Sequence, residues 1–524
     1  MSYRKLKGLL RRPISLFTFS CIVSIATLLL YNIPFFNYVA TNTNEGAGGK
    51  VFLLASLVVI MLALNFMMTY LVMFLLRVVG RIILAVLALI NATAVYFIYT
   101  YSVIIDATAI ENVFNTRYSE ASGFFSWSLW LFIIAAGVLP ALWCLLQPVV
   151  FGKAKRLGVN CGCALAIVLA AALINFNQTL FVSQHDTELG GLLQPWSYIV
   201  NTGRVISFSQ DEQAEEILLP EGSITDQEKA VVVLVIGESA RKANFQLYGY
   251  QRDTNPLLSR QKDLQVYEAT SCATYTTAGT KAILEPLESG DLYELLPNYA
   301  FRTGVDVSWR TSNWGEPPIH IDEYIANEEL GKQFPGENIY HDAILFKGLR
   351  ERIEASPKDK VLIVLHTSTS HGPNYAGKYP QAFEVYKPVA KNVEEAEKNV
   401  GLLVNAYDNT IRYTDFLLDG LINTLRDMTD WHSAMIFISD HGESLGENKI
   451  FMHGLPMKLA PKVQYEIPFL VWTSEHFRDY KERSELPAVL EQHYVFHSVL
   501  NLLSVSSPAY NKDFDIYKQK DVTR

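Results

Sequence analysis

Hydrophobic and polar positions divide this chain into two parts with different periods. In the first third, apolar runs at 14–36, 51–76, 81–105, 124–148 and 158–177 are each near the ~20 residues a helix needs to cross a bilayer core, which predicts five membrane-spanning helices. The first run continues through Tyr31-Asn32-Ile33-Pro34 with no small-residue cleavage pattern after it, so it reads as a retained anchor. From Val231 onward the apolar runs are short and often β-branched: Val231 to Ile236, Val361 to Leu365, Ala434 to Ile438 and Pro468 to Trp472, with Val305 to Trp309 also strand-like. Helical patterns lie between them and after them, at 276–288, 342–354, 394–427 and 489–504. Buried strands separated by helices predict an α/β domain with a mostly parallel sheet between helices.

The intervening stretch, 178–230, is mixed in character. Gly190 to Ser207, with Leu192, Leu193, Trp196, Tyr198, Ile199 and Val200, reads equally as an amphipathic segment at the membrane surface and as a packed linker helix. Asp211 to Lys229 is acidic and polar, as a hinge would be. The expected organisation is a transmembrane domain of five helices over 1–177, a linker over 178–230 and an exported domain over 231–524.

Charge orients this arrangement. Arg4, Lys5, Lys7, Arg11 and Arg12 precede the first apolar run, Arg77 and Arg81 lie about the second turn, and Lys153, Lys155 and Arg156 lie between the fourth and fifth runs. The opposite loops carry only Lys50 and Arg117, so the N-terminus is expected in the cytoplasm and everything after Asn177 outside. In a Gram-negative cell this means the inner membrane, with the second domain in the periplasm. A net charge of −9, with no basic, aromatic-laced patch, excludes non-specific nucleic-acid binding. The spans hold few charges, which argues against a transporter. Cys272 is alone in the exported part, so no internal disulfide is available there.

Candidate chemistry gathers where the strand-like runs end. The run to Ile438 is followed by Ser439-Asp440-His441-Gly442-Glu443-Ser444, which sets an oxygen and a nitrogen ligand side by side. The run to Ile236 ends in Gly237-Glu238-Ser239, and the run to Leu365 ends in His366, with His371-Gly372-Pro373 beyond. Each acid alone reads as an N-cap or turn residue. Three at the same end of a sheet, one of them an adjacent Asp-His, point to a metal site. Ser271 to Thr280 is rich in hydroxyls ahead of a helical pattern, where free backbone N–H groups can meet a phosphate; a plain Ser/Thr cap accounts for it equally.

The runs Gly237-Glu238-Ser239-Ala240-Arg241, Ser271-Cys272-Ala273-Thr274-Tyr275-Thr276, His371-Gly372-Pro373, Asn405-Ala406-Tyr407-Asp408-Asn409 and Ser439 to Asn448, with His453-Gly454 after them, resemble the phosphoethanolamine transferases. That family modifies lipid A and other envelope glycans, includes the colistin-resistance enzymes, and belongs to the alkaline phosphatase and sulfatase superfamily. The resemblance covers both parts of the chain and implies that zinc is held by Glu238, Thr276, Asp440 and His441, with Thr276 also the nucleophile. Thr277 is the second choice. Mixed carboxylate, imidazole and alkoxide ligation suits zinc, and oxygen-rich sites also admit manganese. One zinc site is expected, and a second stays open.

His371 and His453 match family histidines near the substrate phosphate, and each alone also reads as a hydrogen-bonded loop histidine. His366 reads as a structural residue of its strand end. Asn112, Thr116 and Glu120 fall on one helical face and resemble polar residues the family uses near the phosphoethanolamine head group; the alternative is an ordinary exposed face. Two features depart from the family. Many relatives carry disulfides in the exported domain, and Thr311-Ser312-Asn313-Trp314-Gly315-Glu316-Pro317 lacks the Ser and Lys that some lipid A enzymes show near the substrate.

The resemblance implies transfer of phosphoethanolamine from phosphatidylethanolamine to lipid A or core oligosaccharide through a phospho-threonine-type intermediate, with release of diacylglycerol. Masking a lipid A phosphate with an ammonium would lower negative surface charge, as resistance to cationic peptides requires. The alternatives are a glycerophosphotransferase or sulfatase-like hydrolase of the same superfamily, and a non-catalytic membrane scaffold.

Overall fold

In the computed structural model the described residues are 12–519, without 44–45, 116–123, 176–184, 212–215, 290, 373, 391–394 and 397–398. The contacts group the chain into two units, Met1–Glu111 with Phe125–Ser207, and Asn112–Phe124 with Phe208–Arg524. The segment expected as a linker is divided between them.

In the first unit the apolar runs form α1 (Leu16–Tyr31), α2 (Ile33–Asn42), α3 (Ala47–Leu76), α4 (Val78–Tyr101), then, beyond α5 (Ala107–Asn115), α6 (Trp127–Leu146) and α7 (Ala154–Ile174). Four of these are long and apolar enough to cross a membrane, and α1 with α2, bent by 59°, makes a fifth if the pair is one span. The bend falls at Asn32, with Pro34 in the first turn of α2, where a missing N–H costs nothing. Asn32 ties the break down by donating to the carbonyls of Thr27 (3.1 Å) and Gln194 (2.9 Å). In α6 the residues Ile133–Val138 form a π-helical turn just before Pro140. Proline offers no N–H to the carbonyl four residues back, and the Tyr31 hydroxyl donates to that carbonyl, Ala136 O, at 2.5 Å.

Gly190 to Ser207 is helical for most of its length. α8 (Asp186–Leu192) and α9 (Trp196–Asp211) pack on the membrane helices, with Trp196 Nε1 donating to Asn65 Oδ1 and the Tyr198 hydroxyl donating to Asn91 Oδ1, each at 3.0 Å. Buried amides on α3 and α4 thereby gain partners from a packed helix.

The second unit is built on an eight-stranded sheet. Its strands are β1 (Ala230–Gly237), β2 (Gln265–Thr270), β3 (Asp306–Thr311), β4 (Glu323–Ala326), β5 (Lys360–His366), β6 (His432–Ser439), β7 (Glu466–Thr473) and β8 (Leu490–Glu491), in the spatial order β8-β2-β7-β6-β1-β5-β3-β4. Every residue of β1 is buried. Val231, Val233 and Val235 join the core on one face, and Val232, Leu234 and Ile236 the core on the other. A sheet covered on both sides wants an apolar run in place of alternation, which is why these strands were legible.

The run 468–472 lies in β7, as expected, and β7 runs antiparallel to both neighbours, β2 and β6, in an otherwise mostly parallel sheet; three expected helices are corrected below. Pro468 opposes Glu268 of β2, and pairing with β6 starts only at Phe469, so the proline sits where one flank carries no ladder. The helix expected over 342–354 is a 3₁₀ turn, Asp342–Phe346, and a separate helix, Leu349–Glu354, broken at Gly348 with φ +63°. The helix expected over 489–504 starts only at Tyr494, because Leu490–Glu491 joins the sheet as β8. The helix expected to reach 288 ends at Leu284, ahead of Pro286. The strands β2, β4 and β8 were not expected, since none of them is an uninterrupted apolar run.

Candidate metal centre and active site

The strands β1, β5, β6 and β3 are parallel, so their carboxyl ends lie at one edge of the sheet and deliver Glu238, His366, Asp440 and Asn313 together. β2 runs the same way, being antiparallel to β7, and leads through Ser271 to α10 (Thr276–Leu284). Thr276 is the first residue of that helix, where backbone N–H groups have no intrahelical partner. Gly279 allows the approach: a Cβ there would lie 2.2 Å from the Asp440 carbonyl oxygen.

Glu238, Asp440 and His441 are fully buried or within 1% of it, and Thr276 is 4% exposed. The Thr276 hydroxyl lies 3.3 Å from both Glu238 Oε2 and His441 Nε2. His441 Nε2 lies 3.6 Å from Glu238 Oε1 and 3.5 Å from Asp440 Oδ2. Zinc bonds of about 2.0–2.1 Å in a tetrahedron give edges of about 3.3–3.4 Å between ligand atoms, and these separations are of that size. Asp440 Oδ1 accepts from the backbone N–H of Ser239 (3.0 Å) and His441 (2.7 Å), whereas Oδ2 is buried with no hydrogen-bond partner. His441 Nδ1 faces the Gly442 carbonyl at 2.9 Å and therefore carries the ring proton, which turns a bare Nε2 toward the other three. The donor set fits a divalent cation.

Electrostatics lead to the same conclusion. Burial pushes the Asp440 carboxyl well above the usual range, and the Glu238 charge adds to it. Burial would also raise Glu238, but the neighbouring imidazoles, His371 foremost, and a hydrogen bond from Ser239 outweigh it and hold Glu238 well below its ordinary value. Two adjacent buried carboxylates ionise together only with a cation between them. Burial, with the charge of His453, brings His441 down to about 4, so the ring is neutral and free to ligate.

The surrounding loops are interlocked. Ser239 adopts φ +52°, a conformation few L-residues take, and is held there by its N–H on Asp440, its hydroxyl on Glu238 Oε1 (2.6 Å) and its carbonyl under the Tyr407 hydroxyl (2.7 Å). Tyr407 of the helix Val400–Arg426 thereby supports the site from behind. Asp342 accepts from the Ser368 backbone N–H at 2.9 Å and from the hydroxyls of Ser312 and Thr369, which fixes the loop that carries His371.

His371 and His453 stand beside the quartet, their ring centroids 5.7 Å apart and those of His453 and His441 4.3 Å apart. His371 is 6% exposed and its Nδ1 is buried with no hydrogen-bond partner. Thr277 Oγ1 lies 3.2 Å from where a Cβ on Gly315 would sit. Asn112 belongs to the second unit, its Nδ2 2.9 Å from where a Cβ on Gly454 would sit, while Thr116 and Glu120 lie outside the described residues.

Two residues went unassigned at the level of sequence. Glu443 is fully buried, accepts from the Tyr375 hydroxyl at 3.0 Å, and lies 3.3 Å from His453 Nδ1; burial raises its carboxyl to about 8. Asn313 Nδ2 donates to Glu238 Oε2 at 2.7 Å. Both sit just beyond strand-like runs, the same signal that marked Glu238 and Asp440.

The Sulfatase family model matches residues 230–505, and the model described as Phosphoethanolamine transferase EptA/EptB matches residues 60–209. The chain is 36% identical over 521 residues to a phosphoethanolamine transferase EptA of Helicobacter pylori, covering 97% of this chain and 98% of that protein. It is 29% identical to the EptA of Escherichia coli K12, covering 98% of each. The fold is that of the integral membrane lipooligosaccharide phosphoethanolamine transferase A of Neisseria meningitidis, with a TM-score of 0.85 at 24% identity over 95% of this chain and 97% of that one. With the apolar helices of its first unit and a sulfatase-like second unit that gathers a buried metal-ligand set, this chain is a membrane protein that belongs to the phosphoethanolamine transferase family.

Proposed function

We propose that this protein transfers phosphoethanolamine from phosphatidylethanolamine to lipid A, or to another lipopolysaccharide acceptor, at the periplasmic face of the bacterial inner membrane. The N-terminus is cytoplasmic in this reading. The observation that carries it is the buried quartet of Glu238, Thr276, Asp440 and His441, with the threonine hydroxyl 3.3 Å from Glu238 Oε2 and from His441 Nε2 at the first residue of a helix.

Glu238, Thr276, Asp440 and His441 would hold the zinc. When bound, it supplies Lewis acidity that lowers the pKa of a hydroxyl and offsets charge developing on phosphoryl oxygens. Thr276 Oγ1 attacks the phosphorus of phosphatidylethanolamine; the new Oγ1–P bond forms as the P–O bond to glycerol breaks. The N-terminal N–H groups of α10 face the phosphoryl group. His371 and His453 hydrogen-bond its oxygens, and one of them returns the proton to the departing diacylglycerol oxygen. An acceptor oxygen on lipid A then attacks the same phosphorus from the opposite side and frees Thr276. Asn112, Thr116 and Glu120 are assigned to the ethanolamine head group, with Glu120 opposite its ammonium.

The test is mass spectrometry of lipid A and core oligosaccharide from cells expressing wild type or Thr276→Ala. A phosphoethanolamine increment with the wild type alone is expected, and its position names the acceptor. An increment that persists in Thr276→Ala refutes the nucleophile. No increment on any envelope glycan turns the reading to a glycerophosphotransferase or a hydrolase of the same superfamily.

A further inference from the structure

Asn313 follows β3 in the stretch where the chain departs from the family pattern, and it is 3% exposed. Its amide has one orientation: Oδ1 accepts from the Trp314 backbone N–H at 3.0 Å, so Nδ2 turns inward. There Nδ2 meets Glu238 Oε2 at 2.7 Å, the Thr367 carbonyl oxygen at 2.9 Å and His366 Nε2 at 3.1 Å. His366 Nδ1 faces Glu316 Oε1 at 2.9 Å and carries the ring proton, which leaves a lone pair on Nε2. Three electron-rich atoms of three kinds therefore converge on a single amide nitrogen.

A carboxylate oxygen, a carbonyl oxygen and a bare imidazole nitrogen make up the first shell of a divalent cation as readily as they accept hydrogen bonds. Glu238, His366 and Asp440 have ligand atoms that all lie within 4.8 Å of one another, and all three side chains are buried. This second grouping shares Glu238 and Asp440 with the quartet. Two-metal phosphoryl-transfer sites hold their ions about 3.5–4 Å apart, a separation that neighbouring groupings with shared carboxylates can span.

We propose that the Asn313 amide takes the place of a second cation and keeps metal out of the pocket beside His366. The inference rests on the metal reading of Glu238, Thr276, Asp440 and His441. A neutral amide satisfies the three acceptors with its two N–H groups and adds no charge. Glu238 then keeps its full negative charge for one ion, and its carboxylate plane is fixed by Asn313 on Oε2 and Ser239 on Oε1. His366, which otherwise reads as an ordinary strand-end histidine, completes the socket that the amide fills.

The test compares wild type with Asn313→Asp, which keeps the side-chain volume and exchanges the donor for a ligand. Zinc-edge anomalous difference maps are taken from crystals of the full chain grown with zinc, and zinc retained per chain is measured after gel filtration. Both proteins are expected to show a peak at the quartet, with a further peak beside His366 Nε2 in the variant alone and its zinc content about doubled. Adding His366→Gln removes the further peak. A single peak in Asn313→Asp overturns the proposal, as does zinc beside His366 in the wild type. Absence of zinc at the quartet in both proteins would refute the metal reading itself. Should Asn313→Asp fail to fold, Asn313→Ala, which opens the socket without adding a carboxylate, is read in the same way.

Discussion

Asp440 divides its work between its two oxygens. One accepts two backbone N–H groups and locks the loop after β6; the other is buried with no hydrogen-bond partner, and burial makes its ionisation costly. A cation removes that cost, so metal should stabilise the folded chain through this residue. Chelation of zinc should lower the melting temperature of the wild type, with about 3 kcal/mol lost relative to saturating metal. Asp440→Asn should melt at one temperature with or without chelator, as differential scanning fluorimetry would show. At this scale the sequence was informative where ligand atoms are adjacent, as in Asp440-His441, or follow an obvious strand, as in Glu238. It placed Asn313 just beyond a strand-like run but gave it no role, because an asparagine in a polar loop reads the same whether it faces water or a carboxylate.

Helices and strands set how closely those residues approach. α10 touches the Asp440 backbone at Gly279, where any Cβ would meet a carbonyl oxygen that cannot move without disturbing the ligand beside it. Gly279→Ala should therefore push the helix and its Thr276 outward. The expected cost is about 1–3 kcal/mol in stability, with a larger proportional loss of transfer activity, checked by chemical denaturation alongside a transfer assay. The helix Tyr494–Leu502 carries His497, 1% exposed, whose Nε2 lies 2.8 Å from the Pro286 carbonyl and whose Nδ1 accepts from the Asn511 N–H at 3.1 Å. Burial brings this histidine down from 6.5 to about 4. Between those values the unfolded chain binds a proton that the folded chain does not, so this contribution is present above 6.5 and is lost as pH falls through about 4. The full loss is roughly 3 kcal/mol. Denaturation at neutral and acid pH should show a smaller drop for His497→Gln, which keeps a donor and an acceptor. Strand direction belongs to this scale as well. β7 was visible as an apolar run, but its reversed direction was not, because a residue's hydrophobicity is the same whichever way the chain crosses the sheet.

At the scale of the whole molecule, one unit carries the apolar helices and the other carries Glu238, Thr276, Asp440 and His441, and the chain passes between the units more than once. In the proposed reaction both substrates are lipids, so the membrane unit acts by raising their concentration at the site. Residues 208–524 produced alone should bind zinc as the full chain does and cleave a soluble phosphoethanolamine ester, yet transfer to lipid acceptors in vesicles at least about a hundredfold more slowly. Equal transfer rates would remove that role from the helices. The sequence by itself determined the class of the molecule: long apolar runs have no stable place except a bilayer, and uninterrupted β-branched runs need a sheet covered on both faces. It also marked several residues with the chemistry to bind a cation, Glu238, Asp440 and His441 among them. Only the tertiary structure decided which of their ligand atoms meet. Glu238, Thr276, Asn313 and His441 come from four separate strand ends or loops, and their separations of 2.7 to 3.6 Å depend on register, strand direction and one close approach at Gly279. Those are properties of packed pairs, and no single stretch of chain contains them.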